Sequence, residues 1–115
     1  MFEELFNKIT KEMNNFENSF KHQLPSYVYD QAYEINFYKA WSFFIQENLC
    51  FSSPQDVDRS TIVWLTSKEK PIEYLYVAWL NCDEAFSEKY DDMLYFLRTI
   101  YREREDFDDQ YNQTR

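Results

Sequence analysis

The chain has 115 residues, 44% hydrophobic and 21% aromatic, with 21 acidic side chains against 12 basic ones and a formal net charge of −9. That balance argues against a general nucleic-acid binder and against attraction to anionic membranes, because affinity for phosphate rests on Lys and Arg clusters that release counterions. It favours a protein partner with a basic surface, an encounter that electrostatic steering would speed.

A chain of this length fits one hydrophobic core, so a single helical domain is expected over residues 1–104, followed by an acidic tail at 105–115 that frays. Glycine is absent altogether. Strand-rich folds use glycine in hairpin turns and bulges, so the expected class is all-α, a single compact bundle of about five helices. Cys50 and Cys82 are the only cysteines, neither in a metal-ligand spacing, and both read as buried thiols of a cytoplasmic protein. The start of the chain lacks the basic residues and apolar run of a signal peptide, and no stretch approaches the roughly 20 apolar residues of a membrane span.

In chain order, Phe2, Leu5, Phe6, Ile9, Met13, Phe16 and Phe20 recur at three-and-four spacing. With Glu3, Glu4, Lys8, Lys11, Glu12 and Glu17 between them, they predict an amphipathic helix ending near His22, because Pro25 disfavours helical geometry at Leu24. Pro25 is suited to open the next helix, where Val28, Ala32 and Ile35 form a narrow stripe. Phe37, Ala40, Trp41, Phe44, Ile45 and Leu49 continue at a different phase, which a kink or a short break near Asn36 would reconcile. Ser53-Pro54-Gln55-Asp56 resembles a capping box and predicts a short helix with Val57, Thr61, Ile62 and Leu65 inward.

Pro71 then opens the stretch on which the chain centres. From Pro71 to Leu80 only Glu73 interrupts an apolar or aromatic run, the pattern of a helix surrounded on all sides. The alternative is α+β: Thr61 to Thr66 is rich in β-branched residues and could pair with Ile72 to Leu80 as a hairpin at 61–80. The longest helix is expected to begin at Asp83, with Phe86, Tyr90, Met93, Leu94, Leu97, Ile100 and Tyr101 inward. Its acidic first turns and its later Arg98, Arg102 and Arg104 suit the helix dipole.

Little catalytic equipment is present. His22 is the only histidine and reads as a helix-end residue; a nucleophilic Cys50 or Cys82 would need the fold to bring His22 to it. The Glu-x-x-His pairs of di-metal bundles are missing, and without glycine neither a P-loop nor a dinucleotide fingerprint can be built. A carboxylate pair acting as acid and base stays formally open. The expectation is therefore a protein that is not an enzyme and uses no cofactor or metal.

Binding has two candidate carriers. Glu84, Glu88, Asp91 and Tyr95 follow at intervals of four, three and four on the outer face of the last expected helix, with Asp92 beside them. Acidic groups spaced about 5 to 6 Å apart along such a helix could imitate a phosphate backbone, or could simply form a solvated face. The second carrier is the aromatic excess, with Tyr27, Tyr29, Tyr33, Tyr38, Tyr74 and Tyr95 off the core stripes. These could anchor an interface, a self-association surface included, or close the margins of the core with their hydroxyls outward.

Leu24-Pro25, Ala32-Tyr33-Glu34-Ile35, the run from Leu65 to Ile72, and Leu75-Tyr76 with Trp79-Leu80-Asn81-Cys82-Asp83 form a further pattern. It resembles an uncharacterised family, domain of unknown function 3848, of phages and integrative elements of Gram-positive anaerobes. The resemblance spans about Phe16 to Leu97, and the Phe37 to Asp58 region departs from it in being longer and more aromatic. It brings no catalytic residues. What it implies is context, a small acidic protein of a mobile element that disarms a host defence nuclease in the manner of anti-CRISPR proteins or DNA mimics. The alternative in that context is an accessory or regulatory subunit of the element's own replication or transfer machinery.

Overall fold

The computed structural model of the protein describes residues 2–20, 32–51 and 56–114. Among these residues the chain forms six α-helices and one π-helical turn, with no strand. The helices are α1 (Glu3–Phe20), α2 (Ala32–Phe44), α3 (Arg59–Thr66), α4 (Pro71–Leu80), α5 (Tyr90–Arg102) and α6 (Arg104–Thr114), with the π turn Ile45–Cys50 continuing α2. The hairpin alternative is thereby excluded: Thr61 to Thr66 and Ile72 to Leu80 lie in α3 and α4, whose inward faces repeat with helical period.

Helix α4 holds the central place that its composition requires. Pro71, Ile72, Tyr74, Leu75 and Ala78 are buried, only Leu80 is exposed, and α1, α2 and α6 all pack against it. Pro71 fits the first turn because its missing N–H has no intrahelical partner there. The next two donors, Ile72 N–H and Glu73 N–H, are satisfied from a distance, each donating at 2.8 Å to one carboxylate oxygen of Glu12 on α1. Glu12, expected among the outward residues, is thus a buried cap for a helix sixty residues away in sequence. At the other end of that junction, Lys8 donates to the carbonyls of Thr66 (2.5 Å) and Lys68 (3.1 Å), closing the C-terminus of α3.

Helix α1 otherwise follows its stripe, with Leu5 and Ile9 buried and Phe2, Phe6, Met13 and Phe16 packed at the core margin. Phe16 stacks on Tyr38 of α2 at 3.8 Å. Helix α2 runs through Asn36 without a break. Ala32 is exposed and Ile35 half-buried, so the first stripe is not the core stripe there, and no kink is needed to reconcile it with Phe37, Trp41 and Phe44. The phase slip occurs downstream, where the π turn widens the helix so that Ile45, Leu49 and Cys50 all face inward. The expected end of α1 near His22, the start at Pro25, Val28, Tyr27 and Tyr29 lie outside the described residues, as do Ser53, Pro54 and Gln55. Helix α3 begins only at Arg59, with Asp58 at its N-cap position; Asp56 and Val57 are not helical, so the helix starts later than a capping box at residues 53–56 implies, although Val57, Thr61, Ile62 and Leu65 are buried as anticipated.

Two expectations fail downstream. Residues 84–89 are not helical, so the last long helix begins at Tyr90, not at Asp83. The indole of Trp79 donates to the carbonyl oxygen of Glu84 (3.1 Å), an acceptor that a helix would need for itself, and the Phe86 ring docks between Phe37 and Trp79. Ser87 then accepts from Lys89 N–H and donates to Asp92 (2.5 Å), a local turn that competes with helix. The segment is held as a strap across α2.

The acidic tail is not frayed but forms α6, after a turn at Glu103. Phe107 and Tyr111, one turn apart, pack against the core, and Tyr111 donates to Glu73 (3.2 Å). Asp108 accepts from both Tyr74 (2.5 Å) and Lys68 (2.7 Å), and Lys68 in turn lies over the Tyr74 ring at 4.5 Å. Burial works to raise the Asp108 pKa, but the hydrogen bonds and the Lys68 charge hold it below the usual carboxylate range. Asp108→Ala is therefore expected to cost about 1 to 3 kcal/mol, because it strands the Tyr74 hydroxyl and the Lys68 ammonium. Urea unfolding measures this, and an unchanged midpoint would show that α6 is not docked through Asp108.

Candidate protein-interaction site

The five residues expected to meet a partner do not form one helical ladder. Glu84 and Glu88 lie on the strap, while Asp91, Asp92 and Tyr95 belong to the first two turns of α5. The regular spacing of a phosphate mimic is therefore absent. What the fold creates instead is a cleft of about 320 Å³ between α2, the end of α4, the strap and the start of α5. Glu84, Asp92 and Tyr95 line it, together with Trp79, Phe86 and Phe96, and Phe37 and Trp41 are part of its walls. Glu88 instead faces a neighbouring cleft of about 490 Å³ with Lys39, Phe43 and Tyr90, and Asp91 lines neither.

The aromatic walls come from separate elements and were not expected as a group. Phe37 lies 5.1 Å from Phe86 and 5.5 Å from Trp79, and Trp41 lies 5.7 Å from Phe96. Tyr95 is 61% exposed, so one wall stands open to solvent. The aromatic spacing at 79, 86 and 95–96 is visible in the sequence, but only the strap's path turns it into a site. Of the tyrosines expected off the core, Tyr33 and Tyr95 are exposed, whereas Tyr38 and Tyr74 are buried core residues. Burial, reinforced by the nearby carboxylates of Glu12, Glu73 and Glu34, pushes the Tyr38 hydroxyl pKa well up.

Electrostatically the strap and first turn of α5 are concentrated. Residues 83–92 carry five carboxylates, Asp83, Glu84, Glu88, Asp91 and Asp92, against one lysine, Lys89. All five are exposed, and none forms an ion pair with a described residue. Among the described residues the ion pairs Lys68–Asp108 and Lys70–Glu73 lie away from this region, at the α3–α4 turn.

Three titratable groups sit in or at the margin of the core. Cys50 is fully buried, and burial pushes its thiol up to about 11; Cys82 is half-buried, raised by burial and by Glu84, Glu103 and Asp83. Both thiols stay protonated near neutrality, and neither is in a disulfide. Glu12 has a pKa raised to about 7, chiefly by burial, yet both its oxygens are committed to capping α4. Among the described residues no group of three or more His, Cys, Asp and Glu side chains is placed to hold a metal ion, and no helix is long and apolar enough to cross a membrane.

Fold and site together define an all-helical protein with an acidic strap beside an aromatic cleft. No family model, curated protein or solved structure matches the chain.

Proposed function

We propose that this chain is a non-catalytic interaction protein that docks on a basic surface of another protein. The observation that carries this reading is the run through the strap into the first turn of α5: five exposed carboxylates against one lysine in residues 83–92, none ion-paired with a described residue, on a backbone pinned by Trp79, Phe86 and Ser87. A charged surface held in one conformation binds without paying to order itself, and its field speeds encounter with a basic partner. By analogy with the mobile-element family that the sequence motifs resemble, we take that partner to be a host defence nuclease, inhibited at its nucleic-acid-facing surface in the cytoplasm. Charge density, not a regular ladder, would do the mimicry.

Reversing Glu84, Glu88 and Asp91 to lysine together is expected to lower inhibition of nuclease activity in host lysate by at least about 100-fold, with the circular dichroism unchanged. Full inhibition by the triple variant would sink this reading. Binding should also weaken steeply as ionic strength rises.

The alternative, an accessory subunit of the element's own machinery, has its own observation in Tyr33 and Phe43, which leave 76% and 67% of their surface exposed on α2. Docking there would be nearly insensitive to salt and lost on Phe43→Ser.

A further inference from the structure

We infer that the cleft beside the strap takes a single arginine side chain from the basic partner, its guanidinium lying on the aromatic wall and bonded by the rim carboxylates. This rests on the proposed function in taking the partner to be a basic protein surface; the choice of residue rests on the cleft. Its lining includes Glu84 and Asp92 and, among the described residues, no Lys, Arg or His. Two donors of the lining are spent internally, Trp79 Nε1 on the Glu84 carbonyl and the Ser87 hydroxyl on Asp92; Trp41 Nε1 is buried without an acceptor among the described residues, and the Tyr95 hydroxyl stands at the open wall. The charged groups on offer are carboxylates alone, set beside aromatic surface, and the two together suit a cation.

Arginine fits better than lysine. A planar guanidinium can lie flat on a ring and still present parallel N–H groups to a carboxylate, whereas an ammonium is a compact, strongly hydrated point charge. The volume of about 320 Å³ is at the small end for ligand pockets, suited to one side chain. Because Phe37, Trp79 and Phe86 already pack ring to ring within 5.1 to 6.0 Å, the wall is formed before anything binds. The cavity of about 620 Å³ between α1 and α4 makes a contrast, since its lining mixes Lys8, Lys11 and Lys70 with Glu12, Glu69 and Glu73.

The test is a titration of the 115-residue chain with the blocked tripeptide Gly-Arg-Gly, followed by NMR at the tryptophan indole N–H signals and the backbone amides. Saturable shifts are expected at the Trp79 indole and the amides of Ser87 and Asp92. The citrulline peptide, equal in shape but neutral, should bind at least about tenfold more weakly, a loss of about 1.4 kcal/mol. Glu84→Gln and Tyr95→Ala, both at exposed positions, should each weaken the arginine peptide several-fold with the circular dichroism unchanged. Equal binding of citrulline, equal binding of a lysine peptide, or shifts confined to the α1–α4 cavity would each overturn the assignment. The two readings fail separately. Arginine binding at the cleft, alongside full inhibition by the charge-reversed triple variant, supports the cleft and removes the acidic surface as the inhibiting one; lost inhibition with no arginine binding overturns the cleft alone.

Discussion

Trp41→Ala is expected to cost about 3 to 5 kcal/mol of folding stability, a large part of the roughly 5 to 15 kcal/mol that holds a domain of this size together. Trp41 is 1% exposed, and its ring lies 5.2 Å from Phe44 and 5.7 Å from Phe96, tying α2 to α5. Truncation would empty the place where these helices meet, and such a close-packed site refills poorly. Trp41→Phe should cost much less, under about 1.5 kcal/mol, because it keeps most of the ring and removes an indole N–H that finds no acceptor among the described residues. Urea denaturation of both variants measures the contrast. Trp79, which composition alone places at the centre, is half-buried at the cleft, so its truncation should cost less than that of Trp41. The reverse order would move the centre of the core to the far end of α4.

What was legible in the sequence was local. The stripe of α1 and the proline-led start of α4 depend on spacing and on the missing proline N–H, both visible in a short window. The strap was not legible, because Phe86, Tyr90 and Met93 have helical spacing and the pattern is broken by the claim of Trp79 on the Glu84 carbonyl oxygen together with the local turn at Ser87. Composition likewise hid α6: Phe107 and Tyr111 are one helical turn apart in a run so acidic that their partners on α4 could not be guessed. The candidate site divides the same way. Its carboxylates could be read from charge, but the aromatic walls of the cleft come from α2, α4, the strap and α5 and exist only once those meet.

Glu12 shows the same division and has the clearest dependence on pH. A glutamate among lysines and asparagines on an amphipathic helix reads as outward, yet its carboxylate supplies the acceptors for two donors that Pro71 leaves at the head of α4. Burial raises its pKa from 4.5 to about 7; the Ile72 and Glu73 N–H groups and Lys70 pull it down, and the Glu73 charge pushes it up. The folded protein therefore holds this proton more tightly than the unfolded chain. Its stabilising contribution is complete below about pH 4.5 and is lost as pH rises through about 7. Between pH 5 and pH 8 the loss amounts to about 2 to 3 kcal/mol. Glu12→Gln cannot ionise, so the variant should lack this slope. It should also be destabilised at pH 5, because an amide offers one acceptor where two N–H groups need partners. The gap between wild type and variant is thus expected to narrow from pH 5 to pH 8 in urea titrations. A gap that stays constant across that range would mean that Glu12 caps α4 without titrating, and that some other group sets the pH dependence of the fold.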